Sequence, residues 1–469
     1  MKAGMKTHLI GGDIPRIAGV PGHVLVNAPF PEVMAVCPAT LPFVKARPAV
    51  AEGDKVRRGD PLFTDKKRPD LRFLSPVAGT VDRILYGRRR IIERIEIRRH
   101  PSGQAAAGPE PAASFPVVTG AGLDDLPRTE LIRLLREGGV WPCIRSFPYR
   151  DIAPSDADDP AAPPETLIAS VGGADPFGPS PDLWLAGAET VFKTSLRILR
   201  KLARTLTVSV ASPYADLVRP LLPPGEGIRL EILSGSGVAD EPAALLYRIK
   251  TSAAWNRSWF ITGQDILSPG RLLTEGRYPR DRIFAVGGAG ISHPRHVRGW
   301  RGISAADLAG GASRDVTEPM RWISGGILTG RSLAPGGYPG YYDDRLLLLP
   351  EGNEREVLGF ARPGWNRPSC SRTFLSALNR KRRLKTGCNT HGEERACVNC
   401  GFCARVCPVD IMPQFMMKAL GADEMETALA LGLLDCAECG LCAYVCPSKI
   451  ELSRILTEAK AAWRKEMAA

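Results

Sequence analysis

The sequence predicts a multidomain protein of the α/β and α+β class that ends in a small helical domain. A chain of 469 residues is long for one hydrophobic core, so three or four domains are expected. Strand and helix patterns alternate through the middle of the chain, which indicates a parallel sheet covered by helices. Eight of the twelve cysteines fall between residues 397 and 446, which sets the C-terminal part apart from the rest.

Composition places the chain among globular proteins. Apolar residues make up 44% of the sequence and charged residues 24%, both ordinary values for a chain that buries a core. No stretch approaches the roughly 18 uninterrupted apolar residues that span a bilayer. We therefore expect a chain that can lie against a membrane but does not cross one.

Residues 1–105 are predicted to contain a flattened all-β barrel. Segments 51–56, 59–62 and 75–81 combine short strand patterns with glycine turns, and they fall into two similar halves. This arrangement resembles the barrel-sandwich hybrid domain that lipoyl and biotinyl carrier proteins share.

Lys66 lies near the position at which those carriers attach their cofactor. The cofactor lysine of a carrier stands at the tip of the hairpin between the two halves. Here the tip continues as residues 68–71 and lacks the short symmetrical turn of a swinging arm. We therefore expect Lys66 to be a surface lysine that bears no lipoate.

Residues 106–265 are predicted to form a Rossmann-like α/β domain, similar to the flavin subunit of NADH dehydrogenases. A helix is expected after Pro127, because proline favours the first helical turn and Gly138 ends the apolar pattern. A further helix is expected at 186–203, among strands at 167–171, 206–210 and 228–233. Strands that alternate with helices favour a parallel sheet.

Residues 266–360 are predicted to form a small α+β domain of the β-grasp (SLBB-like) kind. Strand patterns at 283–286, 323–326 and 346–349 lie around one short helical pattern at 305–308. Residues 361–390 then form a basic linker to the last domain.

Part of the net charge of +12 is concentrated in this linker, in Arg380, Lys381, Arg382, Arg383 and Lys385. Such a run is usually a solvated face. It could also steer an acidic redox partner or anionic lipid headgroups towards the chain. No nucleic-acid-binding motif accompanies the charge, so nucleic acid is not an expected partner.

Two cysteine runs with the spacing C-x2-C-x2-C-x3-C-P occupy the helical domain predicted at 391–469. A 4Fe-4S cluster needs four thiolates at the corners of a tetrahedron, and in two-cluster ferredoxins the fourth comes from the other run. We assign the first cluster to Cys397, Cys400, Cys403 and Cys446. We assign the second cluster to Cys436, Cys439, Cys442 and Cys407. Apolar periodicity over 411–434 predicts helices around these clusters.

Zinc and disulfides are the alternatives to this assignment. A zinc site uses two separated pairs of ligands and does not require a third cysteine three residues further on. Disulfides require an oxidising compartment, and no secretory leader pattern opens the chain. The remaining cysteines are scattered and are predicted to be ordinary thiols: Cys37, Cys143, Cys370 and Cys388.

The order of these domains resembles the C subunit of the Rnf electron-transport complex. The sequence of the first three domains is more similar to the A subunit of the sodium-pumping NADH:quinone reductase. That similarity lies in segments 63–67, 75–81, 139–145, 323–331 and 351–359. The sodium-pump subunit lacks iron-sulfur clusters, so the cysteine domain is the Rnf-like addition.

This resemblance implies a peripheral electron-transfer subunit of an Nqr/Rnf-type complex on the inner face of the bacterial cytoplasmic membrane. Its partners would be integral membrane subunits and a ferredoxin- or flavin-containing redox protein. No residue is predicted to act as an acid, base or nucleophile. The alternatives are a soluble iron-sulfur reductase component and an NADH-oxidising, FMN-binding subunit.

Two glycine loops bear on the flavin alternative. A glycine-rich loop after the first helix of the α/β domain binds the phosphates of FMN and NADH in the Rnf subunit. The matching stretch, 136–142, keeps only Gly138 and Gly139 and adds bulk and negative charge, so FMN is not expected there. The loop at 171–174 resembles the strand end that faces the flavin in Rnf-like subunits, which makes Asp175 a further candidate.

Overall fold

The structure is a computed structural model. It describes residues 5–9, 16–99, 110–155, 163–224, 227–235, 237–311, 319–352, 362–367, 374–379, 383–390 and 392–467. Arg380, Lys381 and Arg382 of the basic run, and Cys370, lie outside the described residues. In the ranges that are described, no helix combines the length and the apolar character that a bilayer span requires.

The regular elements are numbered in chain order. The strands are β1 (Met5–Leu9), β2 (Leu25–Asn27), β3 (Val33–Val36), β4 (Ala46–Pro48), β5 (Lys55–Val56), β6 (Pro61–Asp65), β7 (Arg72–Leu74), β8 (Gly79–Tyr86), β9 (Ile92–Arg99), β10 (Arg145–Ser146), β11 (Asp151–Ile152), β12 (Thr166–Ser170), β13 (Thr205–Ala211), β14 (Ile228–Gly235), β15 (Trp259–Thr262), β16 (Asp281–Gly287), β17 (Arg295–Trp300), β18 (Met320–Ser324), β19 (Arg331–Leu333) and β20 (Arg345–Pro350). The helices are α1 (Ala121–Asp125), α2 (Arg128–Glu137), α3 (Pro181–Leu185), α4 (Glu189–Leu202), α5 (Ala215–Val218), α6 (Pro242–Ile249), α7 (Leu267–Glu275), α8 (Ala305–Ala309), α9 (Phe402–Arg405), α10 (Pro413–Gly421), α11 (Met425–Ala430), α12 (Leu441–Tyr444) and α13 (Leu452–Met467).

Two small antiparallel sheets form the N-terminal barrel. One sheet has the order β3-β9-β8-β5 and the other the order β4-β6-β7. Both contribute to one apolar core, in which the rings of Phe63 and Phe73 stack with centroids 4.4 Å apart. The hairpin between β6 and β7 lies against the α/β unit, where Arg68 Nη1 donates to the carbonyl oxygen of Ile152 at 3.2 Å. Lys66 is exposed at this fixed hairpin.

A seven-stranded sheet with the order β1-β14-β13-β12-β15-β10-β11 forms the α/β unit. Strands β1, β14, β13, β12 and β15 are parallel, whereas β10 and β11 pair antiparallel at the other edge. The chain runs outward from β12 to β14 and then returns to β15 on the opposite side of β12. The strand order therefore reverses between β12 and β15, which is where open α/β sheets bind ligands. The predicted strands at 167–171, 206–210 and 228–233 and the predicted helix at 186–203 are confirmed.

The third sheet has the order β19-β18-β20-β16-β17-β2. Its central pair, β16 and β20, is parallel, and the pairs β16–β17 and β18–β20 are antiparallel. Helix α8 covers one face with Leu308, and the strands predicted at 283–286 and 346–349 are present. The strand predicted at 323–326 lies instead at Met320–Ser324, because Gly325, with φ of 94°, turns the chain after Ser324.

Strands β1 and β2 differ from the predicted division of the chain. Residues 1–105 were expected to belong together, yet β1 pairs with β14 of the seven-stranded sheet and β2 pairs with β17 of the six-stranded sheet. Both strands are short and have partners more than 200 residues away in sequence, so local patterns do not indicate their pairing. The N-terminal segment thus joins the two larger sheets before the barrel begins.

The C-terminal helices α9 to α13 pack against the α/β unit through helix α6. Leu245 and Phe260 share one apolar core with Met416, Leu433 and Leu456 of the cysteine domain. Ion pairs surround this core: Lys250 with Asp435 at 2.5 Å, Arg248 with Asp410 at 3.1 Å, and Arg464 with Asp151. The cysteine domain therefore packs directly against the α/β unit.

A buried carboxylate joins the two larger sheets. Asp265 follows β15 and pairs with Arg282 of β16 at 3.1 Å and with Arg301 after β17. Next to it, Gln264 Nε2 donates to the carbonyl oxygen of Ile283 at 2.6 Å, and the Ile283 N–H donates back to Gln264 Oε1 at 2.7 Å. Burial alone would raise the pKa of Asp265, but the two arginines hold it below its ordinary value.

The variant Asp265→Asn should lose about 3–5 kcal/mol of stability, because it leaves two buried guanidinium groups without a carboxylate. Urea unfolding at pH 7 measures this loss. Because the folded pKa is depressed, the contribution of Asp265 is complete above pH ~4 and is lost as the pH falls below that value. The wild-type protein should therefore lose its advantage over the variant in acid.

Asp281→Asn is the matched control, since Asp281 is exposed and stands next to Arg282. This variant should stay within about 0.5 kcal/mol of the wild-type protein. Equal losses in the two variants would contradict the role given to Asp265.

Candidate functional site

The two cysteine runs fold into equivalent loops. Each loop ends in a short helix, α9 or α12, which follows a glycine with left-handed backbone: Gly401 with φ of 73° and Gly440 with φ of 79°. Two residues earlier, Asn399 and Glu438 have φ values of 53° and 54°. The repeated spacing therefore produces a repeated backbone, in which the second and third cysteines flank the turn.

The structure brings together the four cysteines assigned to the second cluster. Burial, together with smaller contributions from the nearby Cys436 and Cys407, raises the pKa of Cys439 to about 12. Burial also raises the pKa of Cys442, and its thiol lies within electrostatic reach of the other three. Cys407 belongs to the first run, so the fold places one cysteine of that run near three cysteines of the second.

Three of the cysteines assigned to the first cluster belong to a second, smaller group of packed residues. Cys403 is buried with Ile450 and Leu452, and Cys397 and Cys446 pack against the same group, as does Cys442 of the second run. Burial raises the pKa of Cys403, and Cys400 adds to the shift. Cys446 again comes from the other run.

Neither group of cysteines in the described part of the chain is arranged to bind a single metal ion. No three His, Cys, Asp or Glu side chains of the described residues lie close enough together to hold a single metal ion. A four-iron cluster binds its four thiolates at the corners of a larger tetrahedron than a single ion does, so the looser grouping is compatible with it. The other described cysteines, Cys37, Cys143 and Cys388, are free thiols away from both groups.

The surroundings of the two loops differ sharply. Val398 in the first loop is 68% exposed, whereas Ala437 at the matching place in the second loop is 2% exposed. Cys400 is exposed, whereas Cys439 borders a cavity. The first loop thus faces outward and the second loop faces the α/β unit.

The cavity beside Cys439 has a volume of about 310 Å³. It lies at the carboxyl ends of β12 and β15, where the strand order reverses. Residues 325–329, in the loop between β18 and β19 of the six-stranded sheet, form another part of its wall. Its lining includes eight ionic residues: Arg145, Arg150, Asp175, Asp240, Glu241, Asp343, Asp344 and Arg345. Three domains of the chain therefore meet around one polar space.

The loop after β12 binds a carboxylate of the chain itself. Gly172 and Gly173 have φ values of 91° and 102°, and the following N–H groups of Ala174 and Asp175 donate to Asp240 Oδ2 at 2.6 and 2.9 Å. Successive N–H groups in such a turn form a concave anion site. Burial raises the pKa of Asp240 to about 6, although these two N–H groups lower it.

Arg145 is a half-buried cation that faces the same cavity. Its guanidinium lies 4.5 Å from the ring centroids of both Phe260 and Tyr342, and Nη2 donates to Thr262 Oγ1 at 3.2 Å. Its Nε has no hydrogen-bond partner among the residues that the structure describes. Burial lowers the pKa of Arg145.

The predicted cofactor residues separate into two groups. Asp175 lines the cavity and lies 3.4 Å from Arg345 Nε. Gly138 and Gly139 do not line the cavity. They pack elsewhere: a side chain at Gly138 would meet Leu272 at 2.2 Å, and one at Gly139 would meet Leu74 at 2.6 Å. These two glycines permit close packing at the end of α2.

Arg145, Arg150 and Asp240 were not predicted as site residues. Arg145 belongs to one of the segments similar to the sodium-pump subunit, but that similarity alone indicates no position in the fold. Asp240 follows β14, and the rule that parallel sheets bind ligands at their carboxyl ends could have identified it.

Three family comparisons cover most of the chain. Residues 10–100 match the NqrA N-terminal barrel-sandwich hybrid domain, residues 126–278 the NqrA second alpha/beta domain, and residues 380–450 the 4Fe-4S dicluster domain. The A subunit of the Na(+)-translocating NADH-quinone reductase of Actinobacillus pleuropneumoniae serotype 5b (strain L20) is 31% identical over 428 residues, which cover 91% of each chain.

The chain belongs to the NqrA family. The corresponding protein of Klebsiella pneumoniae (strain 342) is 30% identical, again with 91% of each chain covered. The dicluster match sets an iron-sulfur module at the C-terminus of this NqrA-family chain and supports an iron-sulfur cofactor. A crystal structure of an NAD+-reducing [NiFe]-hydrogenase in the H2-reduced state matches 76% of the chain and 72% of its own length, at 13% identity and a TM-score of 0.36, too low for any conclusion.

The variant Asp240→Asn should be more stable than the wild-type protein at pH 7.5, by about 1–3 kcal/mol. The folded pKa of about 6 lies above the ordinary value, so the stability that protonated Asp240 contributes is complete below pH ~4 and is lost as the pH rises through 6. Urea unfolding at pH 4 and pH 7.5 measures the difference, which should be small at the lower pH.

Asp216→Asn, at an exposed site on α5, is the control and should show no such dependence on pH. If the wild-type protein and Asp240→Asn differ in free energy of unfolding by the same amount at both pH values, the raised pKa of Asp240 is refuted.

Proposed function

We propose that this chain is an electron-transfer subunit of an Nqr-type membrane redox complex, and that it relays single electrons through two 4Fe-4S clusters. The grouping of the eight cysteines into two sets, one at the surface and one beside the cavity, is the observation that favours this function. Family membership supports the complex, and the dicluster domain supports the cofactor.

An electron relay needs one site that accepts electrons and another that passes them on. The two cysteine loops suit these roles, because the first is exposed and the second borders the cavity. The first cluster, near the exposed Cys400, would exchange electrons with a ferredoxin- or flavin-containing partner protein. The second cluster, near Cys439, would exchange them with whatever occupies or approaches the cavity. No acid, base or nucleophile is required, because cluster potentials and spacing determine the transfer.

The first three domains would serve as a scaffold that docks the clusters onto integral membrane subunits at the cytoplasmic face. We assign the seven-stranded sheet to the Rossmann-like class, because its strand order reverses beside a central strand. We assign the six-stranded sheet to the β-grasp (SLBB-like) class, because its strands from β16 onward have the order second, first, fifth, third, fourth. Nucleic acid is not among the proposed partners.

An NADH-oxidising, FMN-binding subunit is the second candidate function. The cavity favours it, since it lies where open α/β sheets bind nucleotides and touches Cys439. Asp240 opposes it, since its carboxylate already occupies the N–H groups that a phosphate would need. Flavin released on denaturation, or clusters bleached by NADH in the isolated protein, would favour this candidate over the first.

The purified protein should contain about eight iron atoms and show broad visible absorption that dithionite bleaches. Cys439→Ser should reduce the iron content to about half and remove the signal of one cluster, because serine replaces a thiolate ligand. Iron analysis and electron paramagnetic resonance of the reduced protein measure both effects.

Cys388→Ser is the matched control, because Cys388 is a half-buried thiol outside both groups. A wild-type protein that is folded but contains no iron would contradict the proposal. Recovery of the chain with integral subunits from solubilised membranes supports the membrane complex, and recovery without them supports a soluble reductase component.

A further inference from the structure

Lys460 is a buried lysine at the second cysteine loop. It lies on α13 and is 2% exposed. Its ammonium donates to the carbonyl oxygen of Cys436 at 3.0 Å and to Glu438 Oε1 at 2.6 Å. Lysine is almost never fully buried without a partner, because removing an ammonium from water is costly. Here both partners of the ammonium belong to one cluster-binding loop.

A second cation approaches the same loop from the α/β unit. Arg150 Nη2 donates to the carbonyl oxygen of Ala437 and to Glu241 Oε1, the latter at 2.6 Å, and Arg150 Nε lies 3.6 Å from Glu438. Lys460 and Arg150 therefore bind the carbonyl oxygens of two consecutive residues, Cys436 and Ala437. Two positive side chains from different parts of the chain, α13 and the α/β unit, therefore contact this loop.

The first loop offers an internal comparison. Its backbone matches the second, with Asn399 and Glu438 at the same left-handed position. Asn399 is neutral and exposed, so this loop does not carry the carboxylate to which Lys460 binds in the second loop. The spacing of the ligands is therefore the same in the two loops, while the charges around them differ.

Reduction adds one electron, and hence one negative charge, to a cluster. A fixed cation nearby stabilises that added charge, and it does so more strongly in a buried site, where the effective dielectric constant is low. Net charge, hydrogen bonds and solvent exposure are the factors by which a protein sets the potential of a cluster. Lys460 supplies a charge that is close to the second loop and shielded from solvent.

We propose that Lys460 raises the reduction potential of the cluster held by Cys436, Cys439, Cys442 and Cys407. It acts as a positioning residue, through its charge and its bond to the Cys436 carbonyl, and it is not a ligand. This inference rests on the proposed function, since it requires the second cluster. One electron enters from the redox partner, and no bond is made or broken.

The test is a redox titration of the purified protein, followed by electron paramagnetic resonance. Lys460→Met should lower the equilibrium constant for reduction of the second cluster tenfold or more, which corresponds to about 59 mV for one electron. The first cluster should not shift. Repeating the titration with Cys397→Ser, which should remove the first cluster, assigns the shifted signal to the second.

Three further variants separate charge from packing. Lys460→Arg keeps the charge and should largely retain the potential, whereas Glu438→Gln removes the opposing charge and should raise it. Lys465→Met removes an exposed lysine from the same helix and should leave both potentials unchanged. If Lys460→Met fails to assemble the second cluster, Glu438→Gln still decides the matter by the sign of its shift.

The outcomes distinguish the two levels of the argument. A wild-type protein without clusters would remove the proposed function itself. A wild-type protein with two clusters, combined with unshifted potentials in Lys460→Met and Glu438→Gln, would overturn only the role of Lys460. Equal shifts in Lys460→Met and Lys465→Met would also overturn it, because they would show a general effect of surface charge.

Discussion

The buried carboxylate of Asp265 between Arg282 and Arg301 is the interaction on which the arrangement of the domains depends. Asp265 follows β15 by three residues, and the two arginines come from β16 and from the residue after β17. The seven-stranded and six-stranded sheets are therefore tied together directly beside the carboxyl end of β15. That end also borders the cavity, through Thr262 and Gly263. The ion pairs of Asp265 therefore hold together the two sheets that line most of the cavity.

Much of this fold follows from local patterns in the sequence. Apolar runs such as 206–210 and the amphipathic stretch at 186–203 are decided by burial within one element, and their structures agree with the prediction. The cysteine spacing also predicts the two ligand sets, because cluster geometry restricts which spacings are possible, and that assignment stays a prediction. Such features depend on residues that are close together in sequence.

The remainder depends on contacts between distant residues. The partners of β1 and β2, the bond from Ala174 to Asp240 and the bond from Lys460 to Cys436 all join segments that no short window contains. Gly138 and Gly139 show that one local pattern can have two structural meanings. A glycine pair after a helix is compatible with a phosphate loop or with tight packing, and only the neighbours Leu272 and Leu74 decide for packing. Sequence patterns thus indicated which elements exist but not which surfaces meet.

The cavity has one further property that follows from its walls. Its lining comes from the α/β unit, the six-stranded sheet and the cysteine domain. The α/β unit is joined to the six-stranded sheet by ion pairs, and to the cysteine domain by ion pairs and an apolar core. A molecule bound there would contact all three at once, and its binding free energy would be added to the free energy that holds them in register. Occupancy of this space and cohesion of the whole chain are therefore thermodynamically linked, so that loosening any one domain weakens retention of the bound molecule.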